Sequence, residues 1–298
     1  MAVVDWASNK AHRQAVAADE GYWVGLANEH GEPVMDFPPL LSMVAPETRN
    51  APVSFQATAV VKSHAGDVHP LVDELFADGF SSVGVDREGR MDVVLDSTRY
   101  VYVLREELRA YRVSHCVISG GFESPEQIEI HGADMLSELN RHVAWTAPAT
   151  ELGSFYTFTR DWAGPENVGV TFKDPRDLQD IKLVTVADGV TLSGPAESTL
   201  REMIQVSLET GWFRTGEQSV VDDPPIVVAP GGSGLSSPEI LIRATDDKLL
   251  DTVAPVAAAA GVRVSAQMWL PGDTPVEGLA LGDSPKIVVR VEQTAEVS

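Results

Sequence analysis

The chain has 298 residues, 44 of them acidic and 22 basic, for a net charge of -22. That charge disfavours both a basic nucleic-acid grip and attraction to an anionic membrane surface. The single cysteine, Cys116, excludes an internal disulfide framework and a thiolate zinc cluster, while 44% hydrophobic and 22% charged residues place the chain among globular proteins.

Residues 1–21 read as a helix with Gly21 as its stop and a weak apolar stripe, an arm that could order only on binding. The start turns polar within a few residues, and no run approaches the roughly 20 apolar residues of a membrane helix. The expectation is a chain made and folded in a cytoplasm. Residues 22–27 read as a strand and 28–33 as a turn. Pro33, Pro38, Pro39, Pro46 and Pro52 predict an extended, irregular connection over 34–53. A strand at 55–61 leads through a loop at 64–70 to a short helix with Pro70 at its first position and Leu71, Leu75 and Phe76 inward. Residues 83–85 and 90–95 read as a hairpin, and 100–104 as another strand.

The stretch 111–145 organises the first half. Val113, His115 and Val117 alternate with Arg112, Ser114 and Cys116, the period of a half-buried strand. Ser119-Gly120-Gly121 and Glu123-Ser124-Pro125 signal turns, and Ile128 and Ile130 share one face of the returning strand. Gly132 lets the backbone swing out, and Ala133 or Asp134 opens a short helix with Leu136, Leu139 and Val143 on one stripe. Such a hairpin and helix must dock on another sheet or another chain.

Strands are expected at 155–159, 168–172 and 182–186. Pro195 then starts a helix with Leu200, Met203, Ile204 and Leu208 inward and Gly211 as its end. Residues 226–229 and 240–243 read as strands separated by a flexible Pro230-Gly231-Gly232-Ser233-Gly234 loop. Thr245 is expected to cap a helix with Asp246 and Asp247 in its first turn. Leu249, Leu250, Val253 and Val256 face inward, Pro255 kinks the helix and Gly261 closes it. Strands at 262–269 and 287–291 flank a long turn-rich excursion. Composition and turns divide the chain into 1–145, a connecting region 146–192, and 193–298.

No catalytic constellation emerges. His64, Asp67, His69 and Asp73 offer metal-type ligands at a spacing that matches no known site, and His69 serves equally as the lead-in to Pro70. His115 and His131 read as core or interface histidines, and Cys116 as a buried thiol. The glycine-rich loop at 230–234 lacks the Lys-Ser/Thr of a P-loop and fails the GxSxG pattern at Leu235. The reading assigns no catalytic residue, no cofactor and no metal.

Two stretches, IEIHGADMLSEL at 128–139 and ILIRATDDKLLDTVAPVAAAAGVRVSAQMW at 240–269, followed by KIVVRVEQ, resemble the baseplate hub or tail-associated minor tail proteins of long-tailed actinobacteriophages. That family has a strand, G-x-D, helix step after its first barrel. Further on, an Arg-containing strand leads to a Leu-Leu-Asp helix, an Ala-Gly bend and a strand. The resemblance implies an α+β, mainly β chain with two tail-tube-like β-barrel domains and inserted helices. It implies a structural protein of the virion tail tip, assembled in the host cytoplasm, whose homotrimer joins the sixfold tube to a threefold tip. Its partners would be the distal tail protein, the tape measure protein and other minor tail proteins, with DNA passing unbound and no membrane insertion. Acidic turns would then line the channel: Asp86, Glu88, Asp222, Asp223, Asp246 and Asp247, with Asp222-Asp223 ranked first because it precedes a strand. Alternatives are a distal tail ring protein or, from other classes, a cytoplasmic metal-dependent hydrolase using His64, Asp67 and His69, or a carbohydrate-binding β-module.

Overall fold

A computed structural model of the chain describes residues 4–46, 48, 50–77, 98–121, 124–146 and 191–296. The strands expected at 83–85, 90–95, 155–159, 168–172 and 182–186 lie outside these residues, as do Asp86, Glu88 and the side chain of Phe76. The described chain is mainly β with helices. Among the described residues no helix is long and apolar enough to cross a membrane.

Helix α1 (Trp6–Glu20) begins where the Asp5 carboxylate accepts from Ser8 N at 3.0 Å, and it ends at Gly21, whose φ of 82° needs a residue without a Cβ. Its apolar stripe is weak, yet the helix is ordered within this chain. Arg13 is buried and pairs with Asp273, and Lys10 Nζ donates to Gly272 O at 2.6 Å. The Arg13–Asp273 pair thus adds to the anchoring by Trp6, Val16 and Ala17, which pack against the core.

A seven-stranded antiparallel sheet follows in the order β2-β1-β5-β6-β7-β4-β3: β1 (Trp23–Ala27), β2 (Pro33–Asp36), β3 (Leu40–Val44), β4 (Ser54–Val60), β5 (Tyr100–Leu104), β6 (Leu108–Gly121) and β7 (Ser124–Asp134). The connection expected to be irregular therefore contains two strands. Its prolines stand at the start of β2, at the bend between β2 and β3, and beyond β3, where no ladder donor is required. The two edges of the sheet, β2 and β3, are separated in sequence only by residues 37–39, a span of about 14 Å at full extension. The sheet must therefore curl into a half-barrel. Phe37 N donates to Val24 O of β1 at 2.9 Å, and Val60 N of β4 donates to Pro39 O at 3.0 Å, so one bent segment serves both sides. Inside lie Phe55, Ala57, Val101, Ile128 and Ile130, and Phe55 stacks on Tyr111 with ring centroids 4.6 Å apart.

The β6–β7 hairpin corrects two expectations. A bulge between Val113 and His115 inserts Ser114 and exchanges the faces beyond it. Tyr111 and Val113 pack inward before the bulge, and Cys116 and Ile118 pack inward after it, leaving His115 and Val117 outside. Gly132 does not release the backbone; β7 continues through it to Asp134. A Cβ there would fall 2.6 Å from the carbonyl oxygen of Arg112, so the glycine permits close strand approach. A 3-10 helix, Met135–Arg141, follows and buries Met135, Leu136 and Leu139.

In the second region β8 (Thr191–Pro195) pairs with β10 (Glu239–Arg243), and β9 (Ile226–Val228), β12 (Lys286–Gln293) and β11 (Val262–Trp269) form a three-stranded sheet with β12 in the middle. Helix α2 (Ala196–Thr215) buries Leu200, Met203, Ile204 and Leu208 as expected, but it runs through Gly211 and stops at Gly216. Gly216 has the left-handed φ of 74° that ends a helix, whereas Gly211 sits mid-helix beside His142. A short α3 (Gln218–Asp222) leads to β9. Helix α4 (Leu249–Ala260) is unbroken at Pro255 and capped by Gly261. The excursion at 271–283 contributes Val276, Leu279 and Leu281, which pack with Val288 on the other face of the sheet.

The two regions share a core. Strand β1 is buried along its whole length because Val24 and Leu26 face the half-barrel interior while Trp23 and Ala27 face out. Trp23, Ala27, Tyr102 and Ala110 pack with Leu200, Ile204, Leu249, Val264 and Val289.

Candidate functional site

The two stretches that carry the resemblance, far apart in sequence, meet in space. After the 3-10 helix, residues 142–146 run beside 246–249. Asp246 N donates to Ala144 O at 3.0 Å, Ala144 N to Asp247 O at 2.9 Å, and Leu249 N to His142 O at 2.9 Å, with a bridge between Val143 and Lys248. Asp246 takes a left-handed φ of 60°, which Asp tolerates better than most residues. Its carboxylate accepts from Thr146 N at 2.8 Å and from Thr146 Oγ1 at 2.9 Å. Thr245 is not the helix cap: its hydroxyl donates to Asp247 at 2.6 Å, and α4 starts only after Lys248. Asp246 and Asp247 are committed to this junction rather than to a first helical turn.

Aromatic residues frame the junction. Trp212 of α2 meets His142 edge-on at 4.9 Å, and the Arg214 guanidinium lies 4.4 Å over the Trp145 ring. Burial holds the His142 pKa below its ordinary value. Asp134, at the start of the 3-10 helix, is pushed up to about 6 by burial, against hydrogen bonds from Val53 N and the Ser137 backbone that favour its charge. Burial likewise raises Glu138, with Arg112 opposing at 3.4 Å. The dispersed tryptophans gave no sign of this frame in sequence, because their meeting depends on tertiary packing.

Among the other expected acids, Asp222 is exposed and accepts from Gln218 Nε2 at 2.8 Å. Asp223 is bound to Lys286, whose ammonium donates to Asp223 Oδ1 at 2.5 Å, Pro224 O at 3.0 Å and Asp223 O at 3.3 Å. Lys286 is only 3% exposed, so Asp223 serves as its counterion at the entry to β9.

The glycine-rich loop, read as flexible, is latched by Glu197 at the start of α2. The Glu197 carboxylate accepts from Ser233 Oγ at 2.5 Å, Gln293 N at 2.7 Å, Arg201 at 2.8 Å and Ser233 N at 3.0 Å. Burial raises its pKa, but the hydrogen bonds from Ser233, Gln293 and Arg201 outweigh it and hold the carboxyl below its usual range. A Cβ on Gly232 would lie 1.7 Å from Glu197 Oε1, which explains the glycine. A Glu two positions into a helix pattern, followed later by a Gly-Gly-Ser, was the available sequence signal.

His69 Nδ1 accepts from Leu71 N at 3.2 Å, the helix lead-in geometry, and Asp67 N donates to Ser63 Oγ at 3.1 Å. Among the described residues no group of three or more His, Cys, Asp or Glu side chains is placed to hold a metal ion. Burial pushes the Cys116 thiol up to about 12, which leaves it little thiolate at neutral pH. His115 and His131 are cross-strand partners on the outer face of the half-barrel, stacked at 4.3 Å and 6°, rather than core residues. His131 Nε2 lies 2.9 Å from Glu129, which also accepts from Gln56 Nε2 at 2.5 Å. These groups position backbone and strands. No family model matches the chain, and no curated protein matches it.

Proposed function

We propose that this chain is a structural minor tail protein, the hub at the tip of a long-tailed phage, where a homotrimer joins the sixfold tube to a threefold tip around the DNA channel. The observation that carries the reading is the junction. The strand, Gly132-Ala133-Asp134, 3-10 helix step and the strand, α4, Gly261, β11 unit are the two forms named by the resemblance, and they pack directly against each other. The reading assigns one tube-like barrel to the curled sheet and the other to residues 193–298. It gives the distal tail protein, the tape measure protein and other minor tail proteins as neighbours, and assigns no catalytic group. The net charge of -22 suits a conduit past which phosphates slide without counterion-releasing contacts.

Native mass spectrometry of the full chain is expected to give a trimer or a ring, and imaging of a purified particle to place it at the tail tip. A monomer at high concentration and a particle lacking the chain would overturn the reading. Asp222 is the informative acid for the channel, since its replacement removes only the Gln218 contact. Asp222→Lys is expected to slow DNA release from intact particles; unchanged release removes Asp222 from the channel wall.

A further inference from the structure

The outward face of β6, β7, β4 and β3 is poor in charge. Its cross-strand rows run Val44, Gln56, His131, His115 and, one pair along, Ser42, Thr58, Glu129, Val117. Glu129 is the one carboxylate in these rows, and Gln56 and His131 both bond it. In a chain with 22% charged residues and a net charge of -22, these eight positions hold a single carboxylate. Val44 is 57% exposed and Val117 49%. Beside them β3, an edge strand of the sheet, runs Leu40–Val44 without a charged residue, and Leu41 at its bulge is 58% exposed. Natural edge strands are usually guarded by lysine, proline or inward charge.

We propose that this face and the β3 edge form a docking surface for a second copy of the chain. The charge distribution selects that occupant. Two copies repel wherever their acidic surfaces meet, and repulsion is least where carboxylates are fewest, as in these rows. In these two rows a polyanion finds no basic groups beyond the two histidines, and a basic partner is drawn to the acidic surface elsewhere. Charge-poor faces with exposed aliphatic side chains match the composition found at the centres of protein interfaces. The inference deepens the assembly reading and rests on it.

The test is sedimentation velocity on the full-length chain across a concentration series, with far-UV circular dichroism as a folding check. Wild type is expected to associate. Leu41→Glu and Val117→Glu are each expected to weaken association by about tenfold or more, while Leu241→Glu, at a 69% exposed position on β10, leaves it unchanged. Hydrogen exchange in β3 is expected to slow as concentration rises, a readout that needs no variant. If wild type associates while the two face variants match it and β3 exchange is constant, the surface is wrong and the assembly reading stands. If wild type remains monomeric throughout, both fall.

Discussion

In the curled sheet, Phe55, Ile128 and Ile130 face an interior enclosed by strands of the same sheet and closed by Leu71, Val72 and Leu75, whereas Leu200, Ile204 and Leu249 of the second region lie in a core that also takes in Trp23, Tyr102 and Leu136. The half-barrel owns its interior, and the second region borrows part of its core from the half-barrel's outer wall. Dependence between the regions is therefore unequal: the half-barrel needs the second region to cover its outer wall but keeps an interior of its own, and a chain segmented at 146–192 in sequence is energetically joined across that boundary.

The severest way to break this comparison is to express residues 191–298 alone. That fragment is expected to lack cooperative unfolding and amide dispersion, because it loses Trp23, Tyr102 and Leu136 as packing partners; a well-dispersed NMR spectrum would refute the second region's dependence on the half-barrel. A finer probe is a pair of core truncations. Ile130→Ala is expected to cost about 3 kcal/mol and to lower both regions together, since the second leans on the first. Leu200→Ala is expected to cost a similar amount, yet to release exchange protection in α2 and α4 while β4 and β7 stay protected.

Smaller effects sharpen the picture within each region. Glu197→Gln is expected to cost about 2 kcal/mol through its charge-assisted hydrogen bonds to the loop and β12. Because the folded carboxyl sits below its ordinary value, its contribution is present above that value, near 4.5, and is lost as pH falls through the folded one. Wild-type stability should therefore fall more steeply than that of the variant below about pH 4.5 in acid titrations followed by urea unfolding. Asp134 in the half-barrel has the opposite sign. Its pKa is raised from 3.8 to about 6, so the folded state binds more protons than the unfolded state between those values and stability falls as pH rises through that window. Asp134→Asn keeps an acceptor for Val53 N and is expected to stabilise the chain by about 1 kcal/mol at pH 7, after discounting for solvent access, with the gain vanishing near pH 4.

Much of the architecture was legible in sequence for local reasons. Gly21 and Gly261 stop helices where an apolar stripe ends, and the inward faces of α2 and α4 follow from their 3.6 period. What was missed depended on neighbours. The Ser114 bulge reverses the expected face of His115 because strand periodicity carries no marker for an inserted residue. Pro38 and Pro39 looked like the sign of an irregular loop, although they occupy a bend that needs no donor. Gly211 offered a stop signal that the helix ignores, because Gly216 alone takes the left-handed turn. At the candidate site, Asp246 and Asp247 were visible as acids next to a helix, but their bonds to 144–146 arise only when two distant stretches meet. Lys286 gave no hint that Asp223 is its counterion.

The bent segment from Pro33 to Val44 also bears on the order in which the half-barrel assembles. Ala27 pairs with Pro33 and Val44 with Gln56, contacts between near neighbours in the chain, while Ser54 pairs with Ala133 and Trp23 with Leu104. Closing short loops costs less entropy than closing long ones. The β1–β2 and β3–β4 hairpins and the β5–β6–β7 meander are thus the low-contact-order parts, able to form early. Arrival of the β6–β7 hairpin on β4 is the step expected to set the folding rate.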